Sequence, residues 1–170
     1  MMKKNFVGEI MEITLRERTE DHVRIWFDRS GEAHMLAGLP RSAQTLEQAL
    51  ADFHRSLRPD STSFGRTVYA DGQYVGDVWC YCIGEDDTPD AMLSYGIFQQ
   101  ELWCRGIATE AVHLFLAEVM PRFSLKTVGA FTFADNKASI RVLEKNGFAL
   151  QEQFTEDGRL SCYLELEGAQ

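Results

Sequence analysis

Long apolar runs are missing from this chain. No stretch approaches the roughly 20 apolar residues that a membrane-spanning helix requires. The basic start, Met1 to Asn5, leads into residues broken by Gly8, Glu9 and Glu12. The apolar core of about 7–15 residues that a secretory signal needs is therefore absent as well. Both absences point to the cytoplasm and away from a membrane partner. Positive charge is scarce: 17 Lys and Arg stand against 26 Asp and Glu, a net charge of −9. Such a balance lacks the cationic footprint that neutralises nucleic-acid phosphates; it suits a cationic partner, or simply solubility. The four cysteines, Cys80, Cys82, Cys104 and Cys162, form no C-x-x-C pair. A zinc ribbon or redox dithiol is unsupported and no metal is expected, although Cys80 and Cys82 share one face if a strand runs through both. A G-x-G-x-x-G fingerprint and a Gly-Lys-Ser/Thr phosphate loop are also lacking.

What is present reads as one α/β domain over residues 1–170, an ordinary length for a single core. Ile10 to Arg16 alternates apolar and polar, as a half-buried strand does. A helix is expected around Asp21 to Asp28. Thr45-Leu46-Glu47-Gln48 is a capping box opening an amphipathic helix with Leu46, Ala49, Leu50, Phe53 and Leu57 on its apolar face and Pro59 beyond its end. Phe64 to Ala70 and Tyr74 to Ile83 read as strands joined at Asp71-Gly72, a hairpin signal. An acidic turn, Glu85 to Asp90, precedes a strand over Met92 to Phe98. A helix over Thr109 to Met120 ends at Pro121, and Thr127 to Phe133 reads as a strand. A short helix over Lys137 to Asn146 stops at Gly147. Phe148 to Phe154 and Arg159 to Leu166 form a last hairpin turning at Asp157-Gly158.

Two stretches carry chemistry. In Trp103-Cys104-Arg105-Gly106-Ile107-Ala108-Thr109-Glu110-Ala111, a small-residue loop enters a helix. The amides of a helix's first turn lack helical partners, and with the helix dipole they form a site for a diphosphate. Gly106 and Ala108 keep bulk away from those donors, and Arg105 adds charge or points to solvent. In Asn136-Lys137-Ala138-Ser139, followed by Ile140 to Phe148, Asn136 and Ser139 lie three apart and share the face of a first helical turn. There they either present an amide and a hydroxyl to one ligand or merely cap the helix.

In this order, one strand apart, the two stretches resemble the GNAT acetyltransferase superfamily. They are most similar to its RimJ/RimL-type branch, with its W-G-K-G-I-A-T-E-A and N-x-x-S-x-x-V-L-E-K-x-G-F patterns. Both are matched, with Cys104 and Arg105 standing where the branch has Gly and Lys. The resemblance extends over Ile13 to Arg18, Pro40-Arg41-Ser42 and Ser63-Phe64. It implies a mixed, mostly antiparallel sheet of six or seven strands with four helices, splayed between the fourth and fifth strands. It also implies acetyl-CoA as co-substrate and a small-molecule or peptide amine as acceptor, in a monomer or homodimer.

By the same resemblance, Ile97 and Phe98 pair with the pantetheine arm, Cys104 to Thr109 hold the diphosphate, and Asn136 and Ser139 face the sulfur end. Trp103 packs the loop. The developing oxyanion takes its donor from the amide of Ile97 or Phe98. Many superfamily members carry a general-acid tyrosine seven residues after the motif asparagine; this chain has Leu143 there, so the Ser139 hydroxyl becomes the catalytic candidate. The base is unassigned among Glu32, Glu101, Glu152 and Glu156. His22, His34 and His54 offer no better choice, and His113 is expected at a core edge. Two rivals stand beside the enzyme: a non-catalytic acyl-CoA-binding regulator on the same scaffold, and a nucleotide-binding module unrelated to CoA.

Overall fold

The alternation in Ile13-Thr14-Leu15-Arg16 produces strand β1 (Ile13–Arg16), shorter at its start than expected because Ile10 is almost fully exposed. The computed structural model describes residues 10–85 and 89–168. It continues with helices α1 (Glu20–Ser30), α2 (Ala33–Leu36) and α3 (Leu46–Ser56), then strands β2 (Phe64–Ala70), β3 (Gln73–Tyr81) and β4 (Ala91–Ile97). A 3₁₀ turn over Gln100–Leu102 leads to α4 (Ile107–Arg122), β5 (Thr127–Phe133), α5 (Lys137–Lys145), β6 (Ala149–Glu156) and β7 (Arg159–Glu167). The Met1–Asn5 segment and Asp86, Asp87 and Thr88 of the acidic turn lie outside the described residues.

The strands form one seven-stranded sheet in the order β1-β2-β3-β4-β5-β7-β6. Every neighbouring pair is antiparallel except β4 and β5, which run parallel. This is the mixed α/β fold expected, with the four expected helices and one single-turn helix, α2, in addition. Local chemistry explains most of the boundaries. Thr45 Oγ1 accepts from the Gln48 amide at 3.2 Å, and Gln48 Oε1 accepts from the Thr45 amide at 3.2 Å, closing the capping box. The two hairpins turn where φ must be positive: Asp71 at 48° and Gly72 at 78°, Asp157 at 49° and Gly158 at 77°. Successive left-handed residues give the turn twist that suits paired strands.

Four details depart from the sequence reading. Cys82 has φ of 55° and lies beyond β3, so it shares no strand face with Cys80. Helix α3 ends at Ser56, leaving Leu57 66% exposed instead of on the apolar face. Helix α4 begins two residues earlier than expected and carries Pro121 inside its last turn, where only one carbonyl loses its partner. His113 is exposed, on the outward side of that helix.

Helix α4 supplies the centre of the core. Ile107, Ala111, Val112, Phe115, Leu116 and Val119 are buried on it and pack with Val68, Val78, Cys80 and Leu93 of the sheet. Each buried Val, Leu, Ile or Phe among them stabilises the fold by about 1.5–3 kcal/mol relative to exposure. Helices α1 and α2 cover the opposite face of the sheet, where Trp26 meets Trp79 edge-on at 5.7 Å and where any Cβ on Gly96 would meet Trp26, Met35 and Leu39.

Beneath α1 the sheet buries a charge. Asp77 is 2% exposed, pairs with Arg18 at 2.9 Å and accepts from the Tyr74 hydroxyl at 2.8 Å. Burial outweighs both partners and lifts its carboxyl from 3.8 to about 6. The folded state thus holds this proton more tightly than the unfolded state. The group's stabilising contribution is present below the unfolded pKa and lost as pH rises through the folded one. Asp77→Asn cannot ionise, so its melting temperature relative to wild type should climb between about pH 4 and pH 7. A relative melting temperature that falls over that range would show the Arg18 pair to dominate.

Gly76 lies opposite Ile97 in the ladder between β3 and β4. A Cβ there would run into the Gly96 carbonyl oxygen and come within 2.9 Å of Ile97 Cδ1 and 3.0 Å of Ile97 Cα. Gly76→Ala should therefore destabilise by about 2–3 kcal/mol, the upper range for overpacking. Denaturant unfolding reads this directly, and an unchanged midpoint would refute the close approach.

Candidate active site

Strand β4 and strand β5 are in register only at Ala91 with Val128 and Met92 with Gly129. Beyond Met92 they part, although β4 runs on to Ile97 and β5 to Phe133. The Phe98 amide donates to the Val75 carbonyl at 3.0 Å. Backbone groups of an antiparallel strand alternate in direction, so Gly96 also faces β3 while Tyr95 and Ile97 face the opening. The indole of Trp103 confirms that direction, since its Nε1 donates to the Ile97 carbonyl at 2.7 Å across the gap.

The opening leads into a cavity of about 330 Å³. Its walls come from β4 (Leu93 to Ile97), from the loop and first turn of α4, from β5 (Ala130, Phe131, Thr132), from α5 and from α2 with the residues after it. Gly106 caps α4 with φ of 80°, and the first helical bond runs from the Glu110 amide to the Gly106 carbonyl. The amides of Ile107, Ala108 and Thr109 precede that bond and have no helical acceptor. Two left-handed residues, Cys104 at φ 61° and Gly106, bend the loop so that this helix end abuts the cavity.

Nine of the sequence-predicted site residues line this one cavity: Ile97, Trp103, Cys104, Gly106, Ile107, Ala108, Thr109, Asn136 and Ser139. Two do not. Arg105 is exposed and outside the wall. Phe98 is 2% exposed, its ring packed against Tyr74 and Trp26. Its amide is committed to β3, so of the two expected oxyanion donors only Ile97 aims at the opening. Trp103 packs the loop as expected, reaching both Ile97 and the His34 ring, 5.4 Å away.

Asn136 and Ser139 divide the two roles left open for them. Asn136 caps α5, its Oδ1 accepting from the Ser139 amide at 3.2 Å. The Ser139 hydroxyl does no capping; it meets the Tyr95 hydroxyl at 2.7 Å. Leu143, 1% exposed, fills the place of the missing tyrosine with methyl groups.

None of Glu32, Glu101, Glu152 and Glu156 lines the cavity. Glu32 is turned to Arg29 and His34 instead. Sequence reasoning set His34 aside, although it lies in the wall, and passed over Tyr95, Arg141 and Lys145. Arg141 and Lys145 were legible as an i, i+4 pair on the helix after the Asn136 cap. His34 had no signal, because one-turn α2 is too short for a periodic pattern. Its Nε2 donates to the Phe98 carbonyl at 2.8 Å, which puts Nδ1 toward Glu32 at 3.5 Å and away from a base role in the cavity. Among the described residues no three His, Cys, Asp or Glu side chains converge as a metal site would require, and no helix is long and apolar enough to cross a membrane.

A parted sheet thus lies over a helix amino terminus, with a hydroxyl pair alongside. The model of the acetyltransferase (GNAT) domain family matches residues 12–149, and the chain belongs to that family. Its fold is shared by the aminoglycoside acetyltransferase AAC(6')-Ib solved with coenzyme A, 16% identical, with a TM-score of 0.75 and coverage of 92% of this chain and 95% of that one. It is shared by the spermidine N-acetyltransferase of Vibrio cholerae solved with CoA and spermine, 13% identical, with a TM-score of 0.79 and coverage of 91% and 95%. An uncharacterised protein of Bacillus halodurans, 16% identical, has a TM-score of 0.73 over 92% and 84% of the two chains. No curated protein matches the sequence.

Cys104 holds a conformation that costs a residue with a side chain about 1–2 kcal/mol, while glycine adds roughly 0.5–1 kcal/mol of chain entropy. Cys104→Gly should therefore stabilise by about 0.5–1 kcal/mol, raising the melting temperature by about 2–3 °C. A lower melting temperature would mean that the thiol makes contacts worth more than the strain.

Proposed function

We propose that this protein transfers the acetyl group of acetyl-CoA to a primary amine, of a small molecule or a protein amino terminus. The carrying observation is the parting of β4 from β5 after Met92, with the Ile97 amide turned into the gap. The pantetheine arm extends the sheet along Tyr95 to Ile97, as an added strand would. The amides of Ile107 to Thr109 take the diphosphate, helped by the partial positive charge of the α4 terminus, about half a unit. Arg105 at the rim and Arg141 and Lys145 in the wall add charge of the right sign. This reading keeps the chain within one domain, in the cytoplasm and in the RimJ/RimL-type branch.

The reaction makes three demands. An alkyl ammonium has a pKa near 10.4, so presenting it neutral at pH 7 costs about 4–5 kcal/mol. With no carboxylate among the described wall residues, that proton leaves to water, assisted by desolvation as the amine enters the cavity. The thioester carbonyl becomes an oxyanion, for which the Ile97 amide is the donor. The C–S bond then breaks with its electron pair on sulfur, where the Ser139 hydroxyl of the wall is the candidate to donate.

Two relatives named above carry cationic small molecules or act on them, and a net charge of −9 suits an acceptor of that kind. A thiol-release assay against polyamines, aminoglycosides, amino acids and peptides tests the reading. Turnover with at least one amine is expected. Coenzyme at 100 times its dissociation constant should add about 2.7 kcal/mol of stability. Coenzyme binding with no turnover on any amine would favour a regulatory acyl-CoA binder; stabilisation by ATP or NAD but not CoA would overturn the reading altogether.

A further inference from the structure

Where many relatives of this fold place a tyrosine, α5 has Leu143, yet the cavity does hold a phenol. Tyr95 enters from β4, the strand that bears the Ile97 amide, and its side chain crosses to α5. Its hydroxyl lies 2.7 Å from Ser139 Oγ and donates to the Ser139 carbonyl at 3.1 Å. Both residues line the wall and both are half-buried. We propose that Tyr95 is the positioning residue for Ser139: it holds the serine oxygen by donating to it, so that the serine proton is free for the sulfur of the departing coenzyme. This rests on the acetyl-transfer reading.

Hydrogen counting carries the argument. The phenol has one proton and two acceptors in reach, the Ser139 carbonyl and Oγ; the serine also has one proton. If the phenol donates to the carbonyl, the serine donates to the phenol and its proton is used. If the phenol donates to Oγ, the serine proton points elsewhere. A thiolate forming in the cavity is a charged acceptor, and charge-assisted bonds are roughly twice as strong as neutral ones. Its appearance selects the second arrangement by swinging one phenol proton through a small angle.

The chain then reads Tyr95 O–H to Ser139 O–H to sulfur, each bond polarising the next. No proton need leave either residue. The N–C bond forms and the C–S bond breaks with its pair on sulfur; the nitrogen gives two protons to water, one from the ammonium before attack and one as the amide forms, and the thiolate takes one from water. Burial pushes the Tyr95 phenol above its ordinary value, in keeping with a group that donates without ionising.

The test is a double-mutant cycle on turnover with the best amine found. Tyr95→Phe keeps the ring and removes only the hydroxyl. It should lower kcat about tenfold, the scale of one bond to a charged group, with KM for acetyl-CoA and the calorimetric affinity for CoA within about twofold. With Ser139 already changed to Ala, the same substitution should alter kcat less than about twofold, because its effect passes through Ser139. An equal drop in both backgrounds would overturn the proposal, as would an unchanged kcat with Ser139 intact or an effect confined to KM and CoA affinity. A wild-type protein that binds CoA but turns over no amine overturns the acetyl-transfer reading and this assignment together. A working wild type with an inert Tyr95→Phe overturns the assignment alone. Melting temperatures of all variants, and the milder pair Tyr95→Phe with Ser139→Thr, guard against a folding artefact: the Thr variant should keep the full Tyr95 effect.

Discussion

The demand of backbone amides and carbonyls for partners is the constraint around which this molecule is arranged. A sheet that parts midway strands a row of them, and a buried polar group without a partner costs about 1–3 kcal/mol. Here β3 still serves one edge of β4 fully, as far as the Phe98 amide. On the other edge the ladder stops at Met92. The chain satisfies one of the stranded groups itself, by folding Trp103 back onto the Ile97 carbonyl. The others open onto a cavity deep enough to admit an extended ligand with its own amides. Buried residues of α4, β4 and β5 share one core, which holds together where the ladder between the two strands does not.

That arrangement also addresses an electrostatic problem. A chain carrying −9 repels a diphosphate at long range. Screening confines such repulsion to about 8 Å at physiological ionic strength, so what matters is the charge within that distance of the cavity. Among the described residues the wall has no Asp or Glu; it has Arg141, Lys145 and the α4 amino terminus. Acids that come near the wall are matched by cations: Glu32 by Arg29 and Asp135 by Arg159; farther off, Asp77 is matched by Arg18 and Glu118 by Arg66. Net charge thus says little about how the site holds a diphosphate.

Features set by a few consecutive residues were legible in the sequence. The Thr45 capping box and the two Asp-Gly turns each depend on groups within four residues of one another and took their expected places; the Asn136 cap, one of two roles left open, is equally local. The paired motifs likewise brought Trp103 to Thr109 and Asn136 to Ser139 toward one cavity. What escaped notice depends on where separate elements cross. Tyr95 and Ser139 are 44 residues apart, and only the docking of α5 on the sheet joins them. His34 reaches the wall because α2 docks against Phe98, 64 residues on. Phe98 misled because alternation makes neighbours in a strand opposites: one residue's shift in register decides whether an amide meets β3 or the opening.

The same crossing explains why losing a tyrosine from α5 need not leave the cavity without a donor. A hydroxyl on α5 at residue 143 would hang from a helix that touches the sheet mainly through β5. One on β4 shares its strand with the Ile97 amide, so the donor for the oxyanion and the anchor for the serine move as one body. Two groups that must act on atoms a bond or two apart gain from a common rigid support, since positional slack of about 1 Å can cost a hundredfold in rate. The exchange has a constraint of its own. The residue beside Tyr95 must then be small, because its Cβ would strike Trp26, Met35 and Leu39 across the sheet, and that residue is Gly96.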